Sequence, residues 1–294
     1  MSLAVRLRGR RVGLALASGF FGFYHHAGVL LALDELGVRP ARVAGNSAGA
    51  LVGSLYAAGL APAEIRDLLL SVRRGDFWDP GWPLGKTGFG LLAGHRFAAT
   101  LAEALPVHSF DRCRAPFAAG VYDLDDGRVR HLDDGPLIPA VLASCAVPYL
   151  FSPVEIDGRR YWDGGFGEKT PLVPFLTSRD VDAVVVSYLP PRTGGKSEKS
   201  GWRRFVPSLS SLAASIPELE RVERDRESAR LLRENGIDVL VLAPERVELG
   251  PFSLGRAPEA MRRGRLGARA ILDSNDESLL GHELLRSNQP PAER

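Results

Sequence analysis

Hydrophobic positions follow two different periods in the first sixty residues. The continuous apolar run from Val12 to Ala17 is typical of a strand buried on both faces. From about His25 to Leu36, apolar residues recur every three or four positions and stop at Gly37, which predicts a helix closed by a glycine. A short run at 42–44 then leads into a helix of small residues over 50–58. Successive units of strand, turn and helix predict a parallel sheet.

The rest of the chain continues this alternation with more interruptions. The predicted elements are a helix over 62–73, a long loop over 75–94, a hairpin of 117–122 with 129–132, a second hairpin of 154–156 with 160–162, a buried strand over 181–189, a polar connection over 190–202, a surface helix over 216–234 and a last strand over 237–242. The predicted fold class is α/β, with a mostly parallel central sheet flanked by helices. We expect a single domain over 1–273 and a polar tail over 274–294.

Composition is that of an ordinary globular protein. The chain has 294 residues, of which 45% are hydrophobic and 24% charged, so disorder is excluded as its main feature. No apolar run approaches the roughly 18 residues of a membrane span. The 37 basic residues nearly balance the 35 acidic ones, and bulk charge therefore gives no support for binding nucleic acid.

The cysteines and the N-terminus bear on the compartment. Cys113 and Cys145 form no CxxC or Cys/His cluster, which argues against a disulfide framework or a zinc site and favours a reducing cytoplasm. The first residues resemble an export signal, with arginines before an apolar run and A-x-A at 15–17. That run has only six residues, from Val12 to Ala17, so we predict a buried strand instead.

The pentapeptide Gly45-Asn46-Ser47-Ala48-Gly49 matches the pattern GxSxG between a predicted strand and a predicted helix. In this motif a tight, strained turn lifts a serine hydroxyl above the sheet, and Cβ atoms at either glycine would crowd the turn. The alternative is a serine that only caps the helix. The strand-turn-helix context favours a nucleophile.

A serine hydroxyl needs a base to take its proton, and the usual base is histidine. None of the six histidines lies in a recognisable motif, and we interpret each as a surface or capping residue: His25, His26, His95, His108, His131 and His282.

A carboxylate offers another base. Asp163 follows a short predicted strand and precedes Gly164 and Gly165, which let the backbone approach another element closely. The alternative is an ordinary Asp-Gly turn. Together with Ser47, Asp163 suggests a nucleophile and base that work without histidine.

Attack on an ester creates an oxyanion that needs donors fixed in advance. The turn that follows the first strand, ASGFFG over 17–22, precedes a helix and can direct backbone N–H groups outward. The candidate donors are the amides of Ser18, Gly19, Phe20 and Ala48. The same turn is close to a dinucleotide-binding fingerprint, which requires an acidic residue after the second strand. That strand leads into Ser47 instead, so no cofactor is expected.

These three elements together resemble the patatin-like phospholipases, a family of serine acyl hydrolases with a Ser-Asp dyad. The similarity runs from about Arg11 to Leu272 and is most specific in two stretches, GLALASGFFGFYHHAGVLLALDELGVRPARVAGNSAGALVGSLYAAG and ASCAVPYLFSPVEIDGRRYWDGG. The segment GPFS at 250–253 and the arginine-rich helix after it resemble the family's closing segment. The resemblance implies a three-layer α/β/α fold, Ser47 as nucleophile, Asp163 as base and an oxyanion loop within 17–23. No metal site is evident in the sequence, and no cofactor is expected.

The oxyanion loop departs from the family pattern, commonly GxGx[KR]G. This chain keeps Gly19, has Phe20 and Phe21 at small positions, and lacks the basic residue. Three alternatives remain open: a triad that uses His282, a binding protein with impaired catalysis, and a nucleotide-binding protein.

The resemblance implies a lipid or acyl-ester substrate, with acyl chains on glycerolipids or lysophospholipids. Two groups of residues are candidates for contact with a membrane surface, but we favour their packing over the core or roofing the acyl pocket. They are Phe77, Trp78, Trp82 and Phe89, and Trp202, Arg203, Arg204 and Phe205. We expect a cytoplasmic protein, with peripheral contact at a membrane as an option. The oligomeric state is not predicted.

Overall fold

The computed structural model describes residues 1–76, 79, 84–85, 88–190 and 218–276. Within this part of the chain, helices cover both faces of a central sheet whose core strands are parallel, which confirms the predicted fold class. The helices are α1 (Leu3–Leu7), α2 (Phe23–Glu35), α3 (Ala48–Ala57), α4 (Pro62–Ser71), α5 (His95–Ala104), α6 (Leu137–Ser144), α7 (Val173–Ser178), α8 (Glu218–Glu234) and α9 (Ala257–Asp273).

The central sheet has the strand order β11-β10-β1-β2-β5-β9-β8, with β6 paired to the other edge of β5. The strands from β11 to β5 are parallel, and β6, β8 and β9 are antiparallel to their neighbours. A smaller sheet has the order β3-β4-β7. The strands are β1 (Val12–Leu16), β2 (Pro40–Asn46), β3 (Leu84–Gly85), β4 (Gly88–Leu92), β5 (Phe117–Asp123), β6 (Arg128–Leu132), β7 (Tyr149–Phe151), β8 (Val154–Ile156), β9 (Arg159–Asp163), β10 (Ala183–Ser187) and β11 (Asp238–Leu242).

Strand β5 aligns the ends of two other strands. β2 runs parallel to its first half, where Asn46 pairs with Gly120. β9 runs antiparallel to its second half, where Asp163 pairs with Val121. Because β6 occupies the opposite edge of β5 over both halves, β2 and β9 share one edge. Their carboxyl ends therefore meet beside two consecutive residues of β5.

The layers pack closely around β1, whose five residues are all buried. On one face, α2 lies against α9 at short range, since a Cβ atom at Gly28 would collide with the Met261 carbonyl. The same side of the core holds α3, α4 and α5 around a cavity described below. On the other face, α7 and α8 cover β10 and β11 through Phe175, Leu232 and neighbouring apolar residues.

Several predicted elements need correction. The predicted loop over 75–94 contains strands β3 and β4, and helices α1, α5, α6 and α7 were not predicted. The first and last predicted strands are confirmed as β1 and β11, and the predicted helices over 25–36 and 50–58 are confirmed as α2 and α3. Both predicted hairpins are confirmed, as β5 with β6 and β8 with β9. Residues 191–217, which include most of the predicted polar connection, and residues 277–294, which include most of the predicted tail, lie outside the described residues.

Among the helices that the structure describes, none combines the length and apolar character needed to cross a bilayer.

Candidate active site

The turn after β2 has the geometry of a nucleophile elbow. Ser47 has φ +56° and ψ −121°, in the region that residues with a side chain rarely adopt. A Cβ atom at Gly45 would collide with the backbone of Gly49, and one at Gly49 would collide with the backbone of Leu16. Helix α3 starts immediately afterwards at Ala48. The sequence permits this strained turn because both crowded positions are glycine.

Ser144, which the sequence analysis did not single out, fixes this elbow. Its hydroxyl accepts the Ser47 N–H at 3.0 Å and donates to the Gly120 carbonyl at 2.6 Å. Ser144 is fully buried at the end of α6. The next residue, Cys145, donates its thiol to the Ser47 carbonyl at 3.3 Å. Helix α6 therefore holds the serine's backbone on both sides.

Asp163 lies beside Ser47 because β9 and β2 end next to each other on β5. Its Oδ1 accepts the Gly165 N–H at 2.7 Å, and its backbone N–H donates to the Ala146 carbonyl at 3.0 Å. From α8, the Arg221 guanidinium donates to the Gly165 carbonyl at 2.7 Å. The turn that orients Asp163 is thus held by hydrogen bonds from two separate parts of the chain.

Burial raises the pKa of Asp163 from 3.8 to about 6. Hydrogen bonding from the Ser47 hydroxyl, hydrogen bonding from the Gly165 N–H and the positive charge of Arg221 each act against this rise, because they stabilise the carboxylate. A carboxyl group with a pKa near 6 is ionised at neutral pH and is a stronger base than an ordinary aspartate.

Some backbone polar groups of the loop after β1 are already used in hydrogen bonds within the protein. The Ser18 N–H donates to the Lys169 carbonyl at 2.7 Å, which corrects the prediction that Ser18 is an oxyanion donor. The Gly19 carbonyl accepts the Gly22 N–H at 2.8 Å. Gly19, Phe20 and Ala48 all line the cavity beside Ser47. Their backbone N–H groups remain the candidate donors.

An apolar cavity of about 160 Å³ begins at Ser47 and extends between α3, α4 and α5. Ala48, Leu51 and Leu55 form one stripe along α3, so that Leu55 lies about 12 Å along the helix from Ser47. Leu69 and Leu101 are among the fully buried side chains of the wall. Phe20, Asp76 and Pro251 also line the cavity, and Phe20 is exposed to solvent. The dimensions of the cavity suit a hydrocarbon chain.

The histidines adjacent in α2 are buried, which corrects their interpretation as surface or capping residues. His25 is 1% and His26 is 0% exposed. Burial lowers the pKa of His25 to about 4 and that of His26 to about 3, so both rings are neutral at physiological pH. His131 contacts the buried carboxylate of Glu168 at 2.5 Å. His282 lies outside the described residues.

Among the described residues there is no group of three or more His, Cys, Asp or Glu side chains that could hold a metal ion. Of the aromatic and basic residues considered for membrane contact, Phe89 falls in β4. Phe77, Trp78, Trp82 and residues 202–205 lie outside the described residues.

The parallel sheet, the strained serine turn and the neighbouring buried aspartate define an α/β protein in which a serine and a carboxyl group meet at the ends of two adjacent strands. The sequence profile described as "Patatin-like phospholipase" matches residues 14–176. The chain belongs to the patatin-like phospholipase family, which confirms the resemblance.

Two similar proteins have NTE in their names. The chain is 31% identical over 230 residues to an uncharacterized NTE family protein of Mycobacterium tuberculosis, a match that covers 71% of this chain and 60% of that protein. It is 28% identical over 231 residues to lysophospholipase NTE1 of Cryptococcus neoformans, which covers 74% of this chain and 14% of that protein. The chain therefore spans less than two thirds of the length of either relative.

Solved structures show a more distant similarity. The crystal structure of VipD from Legionella pneumophila shares 14% sequence identity with a TM-score of 0.46, over 90% of this chain and 67% of that one.

Proposed function

We propose that this protein is a serine esterase that hydrolyses acyl esters of lipids, of the phospholipase A or lysophospholipase type. The single observation that carries the proposal is the placement of Ser47 beside buried Asp163, whose carboxylate it stabilises, at the end of an apolar cavity. Membership of the patatin-like phospholipase family and the name of the fungal relative, lysophospholipase NTE1, support a lipid substrate.

In the proposed reaction, the Ser47 hydroxyl attacks the ester carbonyl while Asp163 accepts its proton. The amides of Gly19, Phe20 and Ala48 stabilise the oxyanion, and Asp163 returns the proton to the leaving alcohol. Asp163 then activates water, which releases the fatty acid and frees Ser47. A carboxylate base is weak compared with histidine, so esters are favoured over amides.

We further propose that the substrate is taken from a lipid surface. Phe20 and Phe252 are the exposed aromatic residues among the large hydrophobic side chains of the described part, at 39% and 55% exposure. Phe20 lines the cavity, Phe252 follows the cavity residue Pro251, and Arg74 lies over the Phe252 ring at 5.3 Å. Aromatic rings paired with cations suit the interface of an anionic bilayer.

The experiment combines labelling and turnover. A fluorophosphonate probe is expected to label the wild type but not Ser47→Ala. Hydrolysis of lysophosphatidylcholine and of p-nitrophenyl esters is expected to fall by about 10⁴-fold or more in Ser47→Ala, because the nucleophile is lost. Ser54→Ala is the matched control, since the Ser54 hydroxyl is buried and, within the described residues, donates to the carbonyl of Leu51 in its own helix. A wild-type protein that neither labels nor turns over ester would favour a binding protein with impaired catalysis.

A further inference from the structure

The first turns of α2 carry two adjacent buried histidines for which the proposed reaction has no use. Both have lowered pKa values and are therefore neutral, and neither ring lines the cavity at Ser47. His26 instead bonds to Ala17, at the start of the loop after β1. His25 bonds to Val247, in a segment that contacts the same loop.

His26 fixes the start of that loop. Its Nε2 lies 2.9 Å from the Ala17 carbonyl and its Nδ1 lies 2.8 Å from the Ser187 hydroxyl. A carbonyl can only accept, so Nε2 carries the hydrogen and Nδ1 accepts from Ser187. The Ala17 N–H in turn donates to the Ser187 carbonyl at 3.1 Å. Both backbone polar groups of Ala17 are thus used before the chain reaches Ser18.

His25 acts on the middle of the loop through the segment 245–249. Its Nε2 accepts the Val247 N–H at 2.9 Å. The preceding residue, Arg246, donates from one guanidinium nitrogen to the Phe20 carbonyl at 3.3 Å and from the other to the Pro190 carbonyl at 3.2 Å. The loop lacks the basic residue common in the family pattern, and here a guanidinium from a distant segment bonds to its backbone.

These bonds hold the peptide units on either side of the candidate donors, the Gly19 and Phe20 amides. In a trans peptide the C=O of one residue and the N–H of the next point in opposite directions. The Ala17 carbonyl faces His26, and the Ser18 N–H accordingly points away, to Lys169. The Gly19 carbonyl accepts from Gly22, which turns the Phe20 N–H the other way.

We propose that His25 and His26 are positioning residues that hold the oxyanion loop from two sides, His26 directly at Ala17 and His25 through Arg246 at Phe20. The inference rests on the proposed function, because the role that it gives the two histidines is to hold the groups that stabilise the oxyanion. Loss of a brace leaves substrate binding in the apolar cavity intact and misplaces the donors that meet the charged transition state.

The test compares isosteric and conservative variants. His26→Phe removes both ring bonds, whereas His26→Gln keeps an amide donor for the Ala17 carbonyl. Arg246→Met removes the bond to Phe20. His108→Phe is the matched control, because exposed His108 also bonds a backbone carbonyl, that of Ala102 at 3.1 Å, away from the loop. Arg263→Met is the control for Arg246, since Arg263 pairs with neighbouring Glu245 at the surface.

The readouts separate bracing from general stability. We expect kcat for a soluble ester to fall about 10²-fold in His26→Phe and Arg246→Met, the scale of losing one oxyanion donor, with KM changed less than twofold. Affinity for a trifluoromethyl ketone, which forms a charged adduct on serine, should fall by a similar factor, and affinity for an uncharged ether analogue should not. His26→Gln should recover most of kcat.

Amide hydrogen exchange of residues 18–22 provides a measurement that does not need turnover. Exchange in this loop should accelerate in His26→Phe and Arg246→Met and stay unchanged in both controls. Unchanged loop exchange, or equal losses of affinity for the ketone and the ether, would overturn the bracing role even if the wild type is an active esterase. A wild type that fails to react with fluorophosphonate while its loop responds to the variants would refute the proposed function alone.

Discussion

Ser47 occupies a backbone conformation that is costly for any residue with a side chain, on the order of 1–3 kcal/mol. The sequence pointed to this residue because the two glycines around it are required by close backbone contacts. It also pointed to Asp163, through the two glycines that follow. Ser144, His25 and His26 could not be identified as partners of the site, because their importance depends on which distant backbone groups they meet.

The raised pKa of Asp163 predicts the pH dependence of ester hydrolysis. The base must be ionised, so kcat/KM should fall with a single ionisation as pH drops below about 6. Asp225 is a matched carboxyl, since it is also buried, its pKa is raised to about 7, and it bonds the Thr170 N–H away from the cavity. The measurement is a pH profile with a soluble ester, and the acid limb should stay in place in Asp225→Asn. If the acid limb moved in Asp225→Asn, the ionisation would belong to Asp225 and not to Asp163.

The same pKa predicts that Asp163→Asn gains stability while it loses activity. Because the folded-state pKa of about 6 exceeds the unfolded value near 3.8, the native state binds more protons between these pH values, and stability falls as pH rises through them. The ionised carboxyl costs the native state about 3 kcal/mol above pH 6, and asparagine avoids this cost. Urea denaturation should find Asp163→Asn more stable at pH 8 and equal to the wild type near pH 4. A variant less stable at pH 8 would contradict burial as the cause.

At the scale of elements, the strands and the first helices were predictable, whereas α6 was not. Its sequence LIPAVLAS is apolar around the whole circumference, so it has no polar face from which a period of 3.6 residues could be recognised. The predicted loop over 75–94 failed for a related reason. Its glycines and prolines are typical of turns, but β4 pairs there with β7, 59 residues further along the chain.

Helix α6 is expected to control the elbow through one hydroxyl. Ser144→Ala leaves the Ser47 N–H and the Gly120 carbonyl without this buried partner, which should reduce the free energy of unfolding by about 1–3 kcal/mol. We also expect a lower kcat, because the backbone of Ser47 is no longer held. Ser54→Ala removes an equally buried hydroxyl within α3 and should leave kcat unchanged. Both variants are compared by denaturation curves and by ester turnover. If kcat changed equally in Ser144→Ala and Ser54→Ala, the role of Ser144 would be purely structural.

At the scale of the whole molecule, Phe20 lines the cavity and Phe252 follows the cavity residue Pro251, which places both exposed aromatic rings on the cavity side of the protein. If this side meets lipid, Phe252→Ser should weaken binding to vesicles containing anionic phospholipid by about 10-fold, because a partly buried aromatic ring contributes roughly 1–2 kcal/mol. Leu266→Ser on α9 is the control, as Leu266 has a similar exposure of 49%. Co-sedimentation measures binding, and turnover of a soluble ester should be equal in both variants. Equal vesicle binding by the two variants would place the lipid contact elsewhere.

Ser47 and Asp163 are brought together only when β2 and β9 lie side by side on β5, which matters while the protein is being synthesised on the ribosome. The proposed nucleophile, Ser47, belongs to a local strand-turn-helix unit, whereas its proposed base arrives only after residue 163 has emerged and β9 has paired with β5. A nascent or truncated polypeptide therefore carries the serine without the group that activates it. Under the proposed chemistry, lipids near the site of translation are not attacked until the sheet is complete.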